Sequence, residues 1–126
     1  MISSLAFKPY SADLTAAGAK AAINNQRILD RISVMLRKYP SFRVRIEAHT
    51  VLEHWSQPRK LREEEEQKLV AISKERAESV RQALSERGIP ANRMTTAGMG
   101  AALPVMPHSD QAGSWKNRRV EFILLR

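Results

Sequence analysis

Between Tyr39 and Phe42 the spacing of apolar residues switches from a helical period to a period of two, and this switch constrains the fold more than any other feature of the chain. Before it, Ala21, Ile28, Leu29, Ile32, Met35 and Leu36 recur at helical intervals, with Asn24, Gln26, Arg27, Arg31 and Arg37 between them, and Pro40 closes the segment. After it, Phe42, Val44, Ile46 and Ala48 alternate with Arg43, Arg45, Glu47 and His49, the pattern of a strand with one buried face. An amphipathic helix followed at once by a half-buried strand needs an apolar partner layer. A sheet covered by helices on one side supplies it.

The rest of the chain extends this unit. A second helix is expected to begin between Ser56 and Lys60, with Ser56 as N-cap and Pro58 in the first turn, and to run to about Arg87. The glutamate run at 63–66 falls early in it, on the side the macrodipole favours. Its stop is written in Gly88, Ile89 and Pro90: a left-handed cap, a hydrophobic contact and a residue that cannot continue the helix. Strands are expected at 2–7, with Leu5 and Phe7 on one face, at 94–97, and at Arg119–Leu125. In the last, Val120, Phe122 and Leu124 alternate with Glu121, Ile123 and Leu125, so both faces are largely apolar, as in a central strand. The predicted fold is a two-layer α/β (α+β) sandwich, β-α-β-α-β-β, with two main helices on one face of a mixed four-stranded sheet. The 126 residues are expected to form one domain, with an atypical loop at 51–60 leading into an extended second helix.

Composition narrows the chemistry. The chain has no cysteine, which excludes disulfides, thiolate nucleophiles and thiolate-bound zinc. Its 21 Lys and Arg against 13 Asp and Glu give a net charge of +8, which favours polyanionic partners: nucleic acid, anionic headgroups or an anionic cell-wall polymer. No apolar run approaches the roughly 18 residues of a membrane span, and the first residues lack a secretory signal. Export would then depend on something outside this chain. Of the three histidines, at 49, 54 and 108, His49 and His54 are near in sequence but sit on a strand end and a loop with no established third ligand, so no metal site is expected. Neither a nucleophile elbow nor an HExxH motif is present, and Gly98-Met99-Gly100 lacks the spacing of a phosphate loop. No catalytic set and no cofactor site emerge; an enzyme is not expected.

One residue breaks the pattern. On a helical wheel Leu61, Leu69, Ile72, Val80, Ala83 and Leu84 form the apolar stripe of the second helix, and Arg76 falls near its centre. A guanidinium there cannot shed its charge and needs acceptors. It either snorkels outward, pairs with a structural carboxylate such as Glu47 or Glu121, or faces an anion from outside the chain.

Five fragments, in order and spanning nearly the whole chain, together resemble one family. Leu14-Thr15-Ala16-Ala17-Gly18-Ala19-Lys20 is similar to the Leu-Thr-Pro-Glu-Ala-Lys start of its first helix, and residues 43–50 to the strand that ends in its Gly-His-Thr-Asp turn. Ser73-Lys74-Glu75-Arg76-Ala77 resembles its Ser-x-x-Arg-Ala motif, and Gly88-Ile89-Pro90-Ala91-Asn92-Arg93 its Gly-Ile-Pro-Ala-Asp-Arg turn. Lys116-Asn117-Arg118-Arg119-Val120-Glu121 matches its Lys-Asn-Arg-Arg-Val-Glu run before the last strand. The family is that of the C-terminal, peptidoglycan-associating domains of OmpA. The resemblance implies non-covalent binding of the diamino acid in the peptide stem of peptidoglycan, in a periplasm, by one module of a larger envelope protein. It implies that Arg76 takes a carboxylate, that Arg118 or Arg119 enriches the positive site, that Thr50 lines it and that His49 stabilises the turn.

The departures bear on the same site. Val51 stands where the family places the Asp that takes the ligand's ammonium, and Leu69 where it places an Asn. A lost charge-assisted bond of about 1.5–3 kcal/mol implies weaker or altered binding. Glu53 is a candidate substitute acid. Two other readings stay open: the fold kept as a structural or protein-interaction module, with the Trp55 loop and long charged helix as its surface, and nucleic-acid binding through Arg43, Arg45, Phe42 or Trp55. The chain lacks an RNP-like aromatic motif or a helix-turn-helix pattern, so nucleic acid is the least favoured partner.

Overall fold

The computed structural model describes residues 2–3, 5–52, 55–109 and 117–126. Helix α1 spans Ala19–Lys38 and α2 spans Arg59–Glu86. Strands β1 (Ile2–Ser3), β2 (Arg43–His49), β3 (Met94–Gly98) and β4 (Arg119–Leu125) form one mixed sheet in the order β1-β4-β2-β3. β2 and β3 are parallel and joined through α2, whereas β4 is antiparallel to both β1 and β2. The two-helix α+β architecture is the expected one, but only three strands reach full length. The anticipated strand at 2–7 is reduced to a two-residue edge. Its continuation is claimed by a helix side chain: the buried Asn25 accepts from Ala6 N (2.8 Å) and donates to Ala6 O (2.8 Å), which leaves the Ala6 backbone no ladder to join.

Register decides which face is buried. Val44 lies opposite Leu124 and Met94, Ile46 opposite Phe122, and Ala48 opposite Val120. Val44, Ile46, Ala48, Val120 and Phe122 form one core with Leu29, Ile32 and Leu36 of α1 and Ala77, Val80 and Leu84 of α2. Both helices therefore cover the same face. On the opposite face Arg43, Ile123 and Leu125 are exposed, while β4 takes the central place expected of it, paired with β1 on one side and β2 on the other.

Helix α2 ends as its sequence implies: Gly88 adopts φ +90°, its N–H donates to Ser85 O and that of Ile89 to Leu84 O, and Ile89 is buried. Its start differs from expectation. Pro58, not Ser56, occupies the N-cap position, so the glutamates at 63–66 begin beyond the first turn, where the macrodipole has faded. The 28 residues of α2 make it about 42 Å long, against about 23 Å for the 7 residues of β2. The helix overhangs the sheet, and Leu61, expected on the buried stripe, is exposed. The overhang builds a second small core, in which Leu69 and Ile72 meet Ala101, Ala12 and Leu52. Glu66 fastens it by accepting from Ala101 N at 3.0 Å.

Candidate functional site

A cavity of about 430 Å³ lies where the C-terminal end of β2 meets the start of β4, the flank of α2 and residues 5–10. Helix α2 contributes Glu65, Leu69, Ile72 and Arg76, the chain around the end of β2 contributes Ala48 through Val51, and the start of β4 contributes Arg118, Arg119 and Val120. Tertiary structure thus gathers Arg76, Thr50, His49, Arg118 and Arg119 into one wall. Glu53 and His54 lie outside the described residues.

Arg76 pairs with neither of the structural carboxylates Glu47 and Glu121. Its Nε donates to Ser11 O (2.9 Å) and its Nη2 to Lys8 O (3.2 Å), while the Phe7 ring centroid lies 5.0 Å from its Cζ. Asn25 anchors this covering segment, since its Nδ2 also donates to Leu14 O at 2.9 Å. Burial first, and then the neighbouring Arg118 guanidinium, lower the Arg76 pKa, yet a guanidinium stays charged at any physiological pH. Two cationic groups converge on one cavity, which is an anion-binding arrangement.

Thr50 and His49 sit deep in the same wall, at 3% and 4% exposure. The Thr50 N–H donates to Gly100 O at 2.8 Å, but its Oγ1 has no hydrogen-bond partner among the described residues. A buried hydroxyl without a partner is costly and marks a place where a polar ligand or water is accommodated. His49 does not act as the expected turn-stabilising hydrogen bonder. The turn is held by backbone bonds, Met99 N to Ala48 O and Thr50 N to Gly100 O. His49 Nε2 instead lies 3.0 Å from Glu121 Oε2 and 3.5 Å from Glu47 Oε1, close but out of hydrogen-bond alignment, and its Nδ1 has no partner among the described residues. Burial and the Arg119 charge lower the His49 pKa, against the opposing pull of Glu121 and Glu47.

Glu47, His49 and Glu121 place ligand atoms within 4.8 Å of one another. Each carboxylate already has its own guanidinium, Arg45 Nε at 2.6 Å on Glu47 and Arg119 Nη2 at 3.0 Å on Glu121. Two carboxylates balanced by two arginines give a divalent cation little to gain, and the group is an ionic brace across the sheet. Arg119 also donates to Leu103 O (2.9 Å), so it braces the wall and only Arg118 of the pair is exposed. The fully buried Asn117 holds the preceding loop, accepting from Val105 N (2.8 Å) and Met106 N (2.9 Å) and donating to Met106 O (2.9 Å). On the opposite sheet end Phe42 is engaged by Tyr39 and Arg126, the latter's Cζ 5.3 Å from its ring centroid, which removes it as a base-stacking platform.

Sequence reasoning missed Asn25 and Glu65. Both signals were on the wheel: Asn25 falls between Ala21 and Leu29 on the α1 stripe, and Glu65 continues the α2 stripe one turn before Leu69.

The fold agrees with what the chain resembles. The OmpA family matches residues 6–118. This chain belongs to the OmpA family. It is 31% identical over 124 residues to the "Probable lipoprotein YiaD" of Escherichia coli (strain K12), covering 98% of this chain and 49% of that protein. It is 33% identical over 115 residues to the "Peptidoglycan-associated lipoprotein" of Rhizobium meliloti (strain 1021), covering 91% of this chain and 57% of that one. Among solved structures, the cell wall anchor of the T6SS from Pseudomonas aeruginosa is 28% identical, with a TM-score of 0.68, over 92% of this chain and 71% of that one. This OmpA-family chain spans about half the length of the sequence relatives it matches. Among the described residues no helix is long and apolar enough to cross a membrane.

Proposed function

We propose that this OmpA-family chain is a non-catalytic module of a larger periplasmic envelope protein and associates with peptidoglycan through the diamino acid of its peptide stem. The observation that carries this reading is the charged, half-buried Arg76 beside Arg118, in a cavity that also holds the unpartnered Thr50 hydroxyl. Arg76 takes the ligand carboxylate by a charge-assisted bond, and Arg118 strengthens the positive field there. Thr50 and His49 contribute polar contacts from the wall, and Arg119 holds that wall in place. Two relatives named for peptidoglycan or the cell wall support the ligand class, and the half-length coverage supports the larger protein. Val51 is an apolar, buried residue at the position from which the family presents a carboxylate, so affinity or specificity differs from that of a site with the acid in place.

The test is sedimentation with purified insoluble peptidoglycan, comparing wild type, Arg76→Ala and Val51→Asp. Wild type is expected to sediment, Arg76→Ala to stay in solution and Val51→Asp to bind more strongly. If wild type stays in the supernatant and Val51→Asp restores binding, the fold has been kept for protein contacts and the wall reading fails for the natural chain.

A further inference from the structure

The cavity has two electrically distinct ends. Glu65, Leu69, Ile72 and Arg76 follow one another along α2 at intervals of four, three and four residues, and all four line the cavity. Eleven residues bring a helix back to within about 20° of the same face and advance it by about 16 Å. Glu65 is 8% exposed, a depth that carboxylates rarely reach, and it is the one acidic residue among the described residues of the lining. Arg76 and Arg118 mark the other end. Between the two ends run Leu69 and Ile72 of α2 and Val51 from the turn after β2, an apolar stretch suited to methyl-sized side chains.

We infer that Glu65 is the cation-binding end of this cavity, and that the site selects a short peptide whose ammonium and carboxylate are far enough apart to reach both ends. The inference rests on the peptidoglycan reading above and deepens it. A carboxylate supplied by the extended α2 stands in for the one absent at Val51, from a different element of the fold. Glu65 is engaged within the folded chain, as a buried carboxylate must be, and a ligand ammonium would share it. Thr50 Oγ1, without a hydrogen-bond partner among the described residues, is a second polar group on the cavity that a ligand atom can bond. The long helix overhang thereby acquires a purpose: it carries the acid into the cavity, while Glu66 on the next position ties the helix to Ala101.

Calorimetric titration with a synthetic stem tetrapeptide bearing a free side-chain ammonium, and with the same peptide acetylated there, tests this. Wild type is expected to prefer the free ammonium by about tenfold, and Glu65→Gln to lose that preference while binding the acetylated peptide as wild type does. Glu65→Asp, which keeps the charge, is expected to keep the preference. Equal binding of both peptides by wild type overturns the inference without recourse to any variant. So does a Glu65→Gln protein that weakens both peptides alike, which would make Glu65 a structural residue. If Arg76→Ala abolishes binding while Glu65→Gln leaves the preference intact, only the assignment of Glu65 falls. If wild type binds neither peptide, the peptidoglycan reading falls with it.

Discussion

Arg76 keeps its charge on a buried stripe because Lys8 O and Ser11 O accept from its guanidinium and Phe7 covers it, so the residue is solvated by backbone rather than by a carboxylate. That leaves its charge uncompensated by any carboxylate in the bonds it makes there, which is what an anion site needs. His49 shows the opposite strategy, burial in the neutral form. Its pKa is lowered by burial and by Arg119, so the unfolded chain, with an ordinary value near 6.5, binds the proton more tightly than the folded one. The stabilisation from keeping His49 neutral is complete above about pH 6.5 and is lost as pH falls from there through the folded pKa. Thermal unfolding at pH 7.5 and pH 5.0 is expected to show a lower Tm at pH 5.0, and His49→Gln to shrink the difference. A variant with the same pH dependence as wild type would mean that other groups carry it. The oddity of Arg76 was legible from the wheel. The role of Asn25 was not, because its three partners are backbone groups of Ala6 and Leu14 brought in by tertiary folding.

At the scale of elements, α2 approaches the end of β3 closely. Ser73 Oγ donates to Val70 O and accepts from Gly100 N at 3.0 Å, and Ala77 one turn on is fully buried. The Ser-x-x-Arg-Ala spacing therefore puts a loop anchor, the cavity guanidinium and a small core residue on one side of the helix. A Cβ at Gly98 would fall 2.3 Å from the backbone N of Lys74, and helix backbone has nowhere to retreat. Gly98→Ala is expected to destabilise the protein by about 1–3 kcal/mol, read as a lower urea midpoint at unchanged m-value. An unchanged midpoint would show that helix and strand slide apart without cost. Strands β2 and β4 and the stop of α2 could be read from alternation and from Gly88-Ile89-Pro90. The shortness of β1 and the uncapped start of α2 could not, since both depend on what lies beside the segment rather than within it.

On the scale of the whole molecule, the net charge of +8 and the buried arginine site act over different ranges. Exposed charges are screened over a Debye length of about 10 Å at 0.1 M salt and about 3 Å at 1 M, whereas a buried contact is screened far less. Retention on insoluble peptidoglycan is expected to decline as sodium chloride rises from 50 to 500 mM, while the deficit of Arg76→Ala relative to wild type persists at the higher salt. A deficit that vanishes at 500 mM would place Arg76 among the general surface charges. The sequence alone determined the two-layer plan, the strand alternation that buries one sheet face, the helix stop at Gly88 and the anomaly at Arg76, because periodicity and backbone chemistry are local properties of the chain. Only the tertiary structure decided that Asn25 would shorten the first strand and that Arg119 would become a brace. It also decided that Glu65 would line the cavity beside Arg76 and Arg118, because each of these outcomes depends on which distant segments meet.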